Sequence, residues 1–217
     1  SGPARDPPAS GRLALVVEHM ARGAGLEVAF GGVVSHVPGM EKGLAEQLKD
    51  AEKVRDIRPD LIFYSGGYVE GGSLLAELRA HGVQAPFLGG PGLSNPDLLK
   101  IAGPAAHGAY YLSTSPYPSL VPGTSSFVAS YRAAAGTDPW APTLLVYDGV
   151  NAMLAMLAQA SAGGERPGRE ALSRGLAQGR YQGLGGLLTF DARGQQAGTR
   201  AYIYQIEGMA WPGKPVQ

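Results

Sequence analysis

A short apolar run keeps returning after an amphipathic stretch, and this pattern constrains the chain most. LIFYSGG (61–67), PFLGG (86–90) and GAYYLSTS (108–115) are too short for buried helices. They are also too continuously apolar for strands with one wet face. Strands buried on both faces of a parallel sheet read this way. Helical stretches separate them: one over about 70–81, marked by Leu74, Leu75 and Leu78, and a short one from about Asn95 to Ile101. Upstream, LEVAFGGVV (26–34) reads as a further strand. It is flanked by helices at 12–24, with Leu13, Val16, Val17 and Met20 on one face, and at 41–56, with Leu44, Leu48, Ala51 and Val54. This strand–helix alternation, repeated about four times, predicts an α/β doubly wound parallel sheet.

The pattern changes after the proline-rich stretch PYPSLVPG (116–123). A helix is expected over 124–136. A long one follows over 143–160 (TLLVYDGVNAMLAMLAQA); being apolar on most faces, it is expected to be buried. GGERPG (163–168) reads as a loop and 169–178 as another helix. GLGGLLTFDARGQ (183–195) reads as a hairpin turning at Ala192–Gly194, and AYIYQIEG (201–208) as a last strand. Residues 209–217 are expected to be a loose tail, and 1–10 an arm.

Composition excludes several functions. With 18 basic and 18 acidic residues the formal charge is zero, so no strongly basic face is implied and nucleic acid is not the expected partner. The absence of cysteine removes a thiol nucleophile and cysteine-ligated zinc. His19, His36, His81 and His107 share no metal spacing, and there is no GxSxG elbow. GGVVSH and GGPGLSN lack the phosphate-loop endings. No enzyme, cofactor or metal is therefore expected. Asp148, at the start of an apolar helix, is expected to be a satisfied structural carboxylate. SGPARDPPAS (1–10) lacks the apolar centre of a signal peptide.

Five segments in order carry a resemblance to a known family: SHVPGMEKGLAEQL (35–48), PDLIFYSGGYVEGGSLLAELRAHGVQAPFLGG (59–90), LLKIAGPAAHGAYYLS (98–113), TLLVYDGVNAMLAMLAQA (143–160), and GLGGLLTFDARGQ with the tyrosine-rich strand after it. Together they resemble the type I periplasmic solute-binding proteins of the leucine/isoleucine/valine-binding family. The resemblance implies two α/β lobes joined by three crossovers, with ligand held between lobes that close on a hinge. It places 11–118 and 199–217 in the second lobe and 119–198 in the returning half of the first. The first half of lobe one, and the opening strand of lobe two, have no counterpart. Residues 1–10, the last strand at 201–207 or a second chain would have to complete that sheet.

The same comparison suggests a site. An aromatic residue after the strand-end GG matches Tyr68. The carboxylate that holds a ligand ammonium is replaced by Pro91, and a further tyrosine by Ser10. The residues alone point to the same place, because ligands of open α/β sheets sit beyond the carboxyl ends of strands. The expected ligand-binding residues are thus Ser65, Tyr68, Pro91 and Gly92, with Glu70 the nearest acidic side chain in sequence. The implied function is that of an extracytoplasmic receptor of an ABC import system for branched-chain amino acids or related amides and small molecules. Its implied partners are the transporter's membrane subunits and a homo-oligomer completing the sheet. The alternatives are a sensory or regulatory module of the same fold, or a truncated chain with little ligand binding.

Overall fold

Three of the apolar runs become strands β1 (Ile62–Tyr64), β2 (Phe87–Gly89) and β3 (Tyr110–Ser113). They pair in parallel, with Ile62 opposite Phe87, Tyr64 opposite Gly89 and Gly89 opposite Tyr111. Each is shorter than its apolar run, because the glycines that end the first two turn the chain out of the sheet. The computed structural model describes residues 9–29, 51–164 and 166–216. Its contacts divide the chain into two units: residues up to Ser113 with those from Ile203 onward, and Thr114–Tyr202.

The first unit is built around the helices that follow these strands. Helix α1 spans Ala9–Gly23, α2 spans Tyr68–Ala80 and α3 spans Asp97–Ala102, while residues 51–57 are helical. Helix α2 packs on α3, with Leu74, Leu75 and Leu78 buried on the first and Leu98 and Leu99 on the second. Each such side chain contributes about 1.5–3 kcal/mol through burial, so this cluster holds the two helices together.

The end of the chain corrects an expectation. Residues 209–217 were expected as a loose tail, yet β7 (Lys214–Val216) pairs antiparallel with β6 (Tyr202–Gln205). The sheet order is β1-β2-β3-β6-β7. Tyr111 stacks on Tyr204 at 5.4 Å between ring centroids and on Trp211 at 4.7 Å. Its hydroxyl donates to the Pro212 carbonyl at 2.7 Å. Such stacking is worth about 0.5–1.5 kcal/mol per pair beyond burial, enough to hold a segment of low apolar content. At the start of β3, Gly108 and Ala109 together face Ile206: Gly108 N donates to Ile206 O at 2.8 Å, and Ile206 N to Ala109 O at 2.9 Å. This is a bulge with glycine at φ 77°.

Two more expectations meet the structure on the other side of the sheet. Residues 26–29 form no strand but a loop after α1, and the rest of the expected strand 26–34 lies outside the described residues. So do 30–50, including most of the expected helix 41–56. Ile62 N donates to Pro86 O and Gly90 N to Tyr64 O, so residues 62 and 64 face β2. Phe63 therefore turns its backbone groups to the opposite edge. Among the described residues no strand pairs there. The last strand, one expected donor for that gap, instead joins the sheet beside β3.

The second unit contains α4 (Ser125–Ala135), α5 (Pro142–Ala160), α6 (Arg169–Gln178) and a hairpin of β4 (Tyr181–Gly183) and β5 (Gly186–Leu188). The hairpin turns at Leu184–Gly185, earlier than expected. The turn expected at Ala192–Gly194 exists as a second one, closed by a bridge between Phe190 and Gln196. Asp148 is 5% exposed and accepts from Leu184 N at 2.9 Å and Gly185 N at 2.7 Å. It is the satisfied structural carboxylate expected from its place on α5. The burial expected for α5 as a whole is not observed: only Leu144, Asp148 and Ala152, one stripe at four-residue steps, are buried. A helix apolar all round gives no pattern from which to read which side is covered.

Candidate ligand-binding site at the carboxyl ends of two strands

β1 and β2 end at the same level, and the Gly90 N to Tyr64 O bond of 2.7 Å carries their ladder one residue further. The chain then leaves β1 through Ser65-Gly66-Gly67 into α2, and leaves β2 through Gly90 into the short 3₁₀ turn Pro91–Leu93. These two loops touch. A Cβ on Gly92 would lie 2.2 Å from the Gly66 carbonyl oxygen, so only glycine allows the approach. Beneath them Leu93 is fully buried, and the Tyr64 hydroxyl donates to Gly67 O at 3.2 Å. Burial first, and the Glu70 carboxylate second, push the Tyr64 phenol far above its ordinary range. It therefore remains a neutral donor pinning the loop.

The structure brings Ser65, Pro91 and Gly92 to one rim. Ser65 is half-buried there, and Pro91 and Gly92 are exposed. Tyr68 opens α2 beside Gly67, half-buried. It lies within electrostatic reach of Lys100 on α3, whose ammonium is favoured by the Asp97 carboxylate at 2.7 Å. Glu70, in the first turn of α2, places a carboxylate oxygen 2.9 Å from where a Gly67 Cβ would stand. Ser10 lies in the first turn of α1. Sequence reasoning missed Leu13, whose Cδ2 comes within 3.2 Å of the Cβ position of Gly90 and so caps the rim from α1. No local signal announces that contact.

The rim offers backbone amides and a serine, with Tyr68 beside it at the start of α2, and a proline that can neither accept from an ammonium nor neutralise it. Among the described residues, no group of three or more His, Asp or Glu side chains could hold a metal ion.

Residues 16–210 match the family model for periplasmic binding proteins, and the chain belongs to that family. Within it, the chain is similar to Leu/Ile/Val-binding protein homolog 2 of Brucella abortus, at 29% identity over 143 residues. That match covers 65% of this chain and 37% of the relative. An ABC transporter substrate-binding protein of Desulfitobacterium hafniense, solved in complex with Leu, superposes with a TM-score of 0.64 at 22% identity. The superposition covers 96% of this chain and 57% of that one. A solute-binding protein of an ABC transporter from R. palustris, solved with benzoate, gives a TM-score of 0.59 at 21% identity, covering 88% and 48%. The fold is therefore that of the type I periplasmic binding proteins, and the chain spans little more than a third of its curated relative.

Proposed function

We propose that this chain provides the ligand-contacting strand ends of an extracytoplasmic solute-binding protein, a receptor that delivers a small molecule to the membrane subunits of an ABC importer and performs no chemistry on it. The observation that carries this reading is the convergence of Ser65–Tyr68 with Gly90–Gly92 at the carboxyl ends of β1 and β2, in a chain of this family. The relatives' names, Leu/Ile/Val-binding in one and a benzoate complex in another, support a small ligand of amino-acid or aromatic type. In this reading the first unit is the second lobe of the receptor, and a strand from another segment or a second copy closes the open edge of β1.

The site's own chemistry narrows the ligand. A zwitterion needs an acid for its ammonium and donors for its carboxylate, and a buried unpaired charge is costly. With Pro91 at the acid's position, the rim suits a neutral amide or an aromatic ring against Tyr68 better than free leucine. Charge-assisted hydrogen bonds are worth roughly 1.5–3 kcal/mol each, so losing two weakens leucine by orders of magnitude. Calorimetric titration with leucine, isoleucine, valine, the neutral 4-methylpentanamide and benzoate tests this. Binding of 4-methylpentanamide or benzoate with little binding of the free amino acids supports it. Micromolar binding of leucine transfers the acid's role to Glu70. Silence towards all five favours the truncated chain with little ligand binding.

A further inference from the structure

Tyr64 ends β1, and the loop that follows folds back over its ring. A Cβ on Gly66 would collide with the Tyr64 hydroxyl and Cζ, and one on Gly71 would stand 2.6 Å from its Cε1. Two glycines thus leave the space that this buried ring fills. The ring also stacks on Phe87, at 5.8 Å between centroids and 26° between planes. Its hydroxyl donates to Gly67 O at 3.2 Å, and Gly71 N donates to the same oxygen at 3.0 Å. One carbonyl therefore ties the loop both to the ring beneath it and to the first turn of α2, which opens with Tyr68.

We infer that Tyr64 is a positioning residue for the rim: its hydroxyl fixes the Ser65–Gly67 loop in the form a ligand meets, without touching the ligand itself. The inference rests on the ligand-binding reading of the rim. Packing and hydrogen bonding divide the work of this side chain. A phenylalanine at 64 would fill the same space and keep the stack on Phe87. Without the hydroxyl, Gly67 O still accepts from Gly71 N, so no carbonyl is left orphaned. Little stability depends on the hydroxyl, then, and what its loss releases is the loop's carbonyl from the ring beneath. A loop held in its bound form loses little freedom on association, so releasing it weakens binding rather than folding. The rival account is that the hydroxyl merely satisfies its own burial, and that account leaves ligand affinity untouched.

Calorimetric titration with benzoate and 4-methylpentanamide reads the effect. Tyr64→Phe should weaken whichever probe the wild type binds by about tenfold. Its melting temperature should fall by at most about 4 °C. Val83 is buried just past the opposite end of α2, where its N–H donates to Leu78 O at 2.9 Å. Val83→Ala should lower the melting temperature as much or more, with affinity within about twofold of wild type. Replacing Tyr64 with 4-aminophenylalanine, which keeps a donor at the same ring position, should recover most of the lost affinity. Unchanged affinity in Tyr64→Phe overturns the inference and leaves the ligand-binding reading standing. So does an equal loss of affinity in Val83→Ala, which would tie binding to stability alone, or a failed rescue by 4-aminophenylalanine. Wild-type silence towards both probes ends the ligand-binding reading, and this inference with it.

Discussion

Replacing Asp148 should destabilise the second unit more than any exposed substitution nearby, and in a graded way. Its two carboxylate oxygens each accept one backbone N–H, from Leu184 at 2.9 Å and Gly185 at 2.7 Å, in a site 5% exposed. Hydrogen bonds to a charged acceptor contribute about 1.5–3 kcal/mol, and a buried donor left unmade costs about 1–3 kcal/mol. Asp148→Ala loses both bonds, a gross cost of roughly 3–6 kcal/mol. Collapse of the glycine turn onto the vacated space returns part of this, because the Cβ position of Gly183 is only 2.2 Å from the Asp148 Cγ. A net loss of about 3–4 kcal/mol is expected for alanine. Asp148→Asn keeps one acceptor oxygen and sets its amide against the other N–H, for a loss of about 2 kcal/mol. With a urea m-value of about 1–3 kcal/mol/M, the midpoint should fall by about 1–3 M for alanine and about half that for asparagine. Urea titration followed by circular dichroism measures both. An alanine midpoint within about 0.3 M of wild type, or asparagine more damaging than alanine, would refute the view that this carboxylate holds the hairpin.

Gly92→Ala must push the two rim loops apart, since its Cβ would stand 2.2 Å from Gly66 O. A loss of about 1–3 kcal/mol is expected, visible as a lower melting temperature together with weaker binding of any ligand found in the titrations above. Trp211→Ala removes the stack on Tyr111 and should cost about 1–3 kcal/mol. Faster hydrogen exchange in β7 than in β1 would mark the loss as local. Asp191 accepts from Gln195 N and Arg193 N, both at 2.9 Å, and the Gln195 bond is the main reason its carboxyl sits below its ordinary value. A depressed carboxyl stabilises the fold above the unfolded value and loses that contribution as pH falls through the folded one. The Gln195 amide should therefore exchange faster relative to its neighbours only below about pH 4, and Asp191→Asn should remove that dependence.

The sheet was legible because buried parallel strands have a composition that little else shares, and Ile62–Tyr64, Phe87–Gly89 and Tyr110–Ser113 all fell inside apolar runs. The rim was legible because ligands of open α/β sheets sit beyond the carboxyl ends of strands, where Ser65 and Gly92 stand; the close approach of Gly92 to Gly66 was not read from the sequence. Long-range pairing was not legible. Trp211 stacks on a tyrosine a hundred positions earlier, and nothing in KPV or its flanks signals a strand whose partner is β6. The covering of α5 was also beyond reach. Periodicity reports which side of a helix is apolar, and when nearly all sides are, it cannot say which side the rest of the fold occupies.

The chain has two tryptophans, and each unit contains one: Trp211 in the first, half-buried against Tyr111, and Trp140 in the second, exposed. Trp211 is stacked on a phenol and Trp140 is 43% exposed, so the two are expected to emit at different wavelengths. Trp140→Phe and Trp211→Phe would each leave a single fluorophore. The melting of either unit could then be followed optically in the intact chain, and any difference between the two curves would measure how far the units unfold independently.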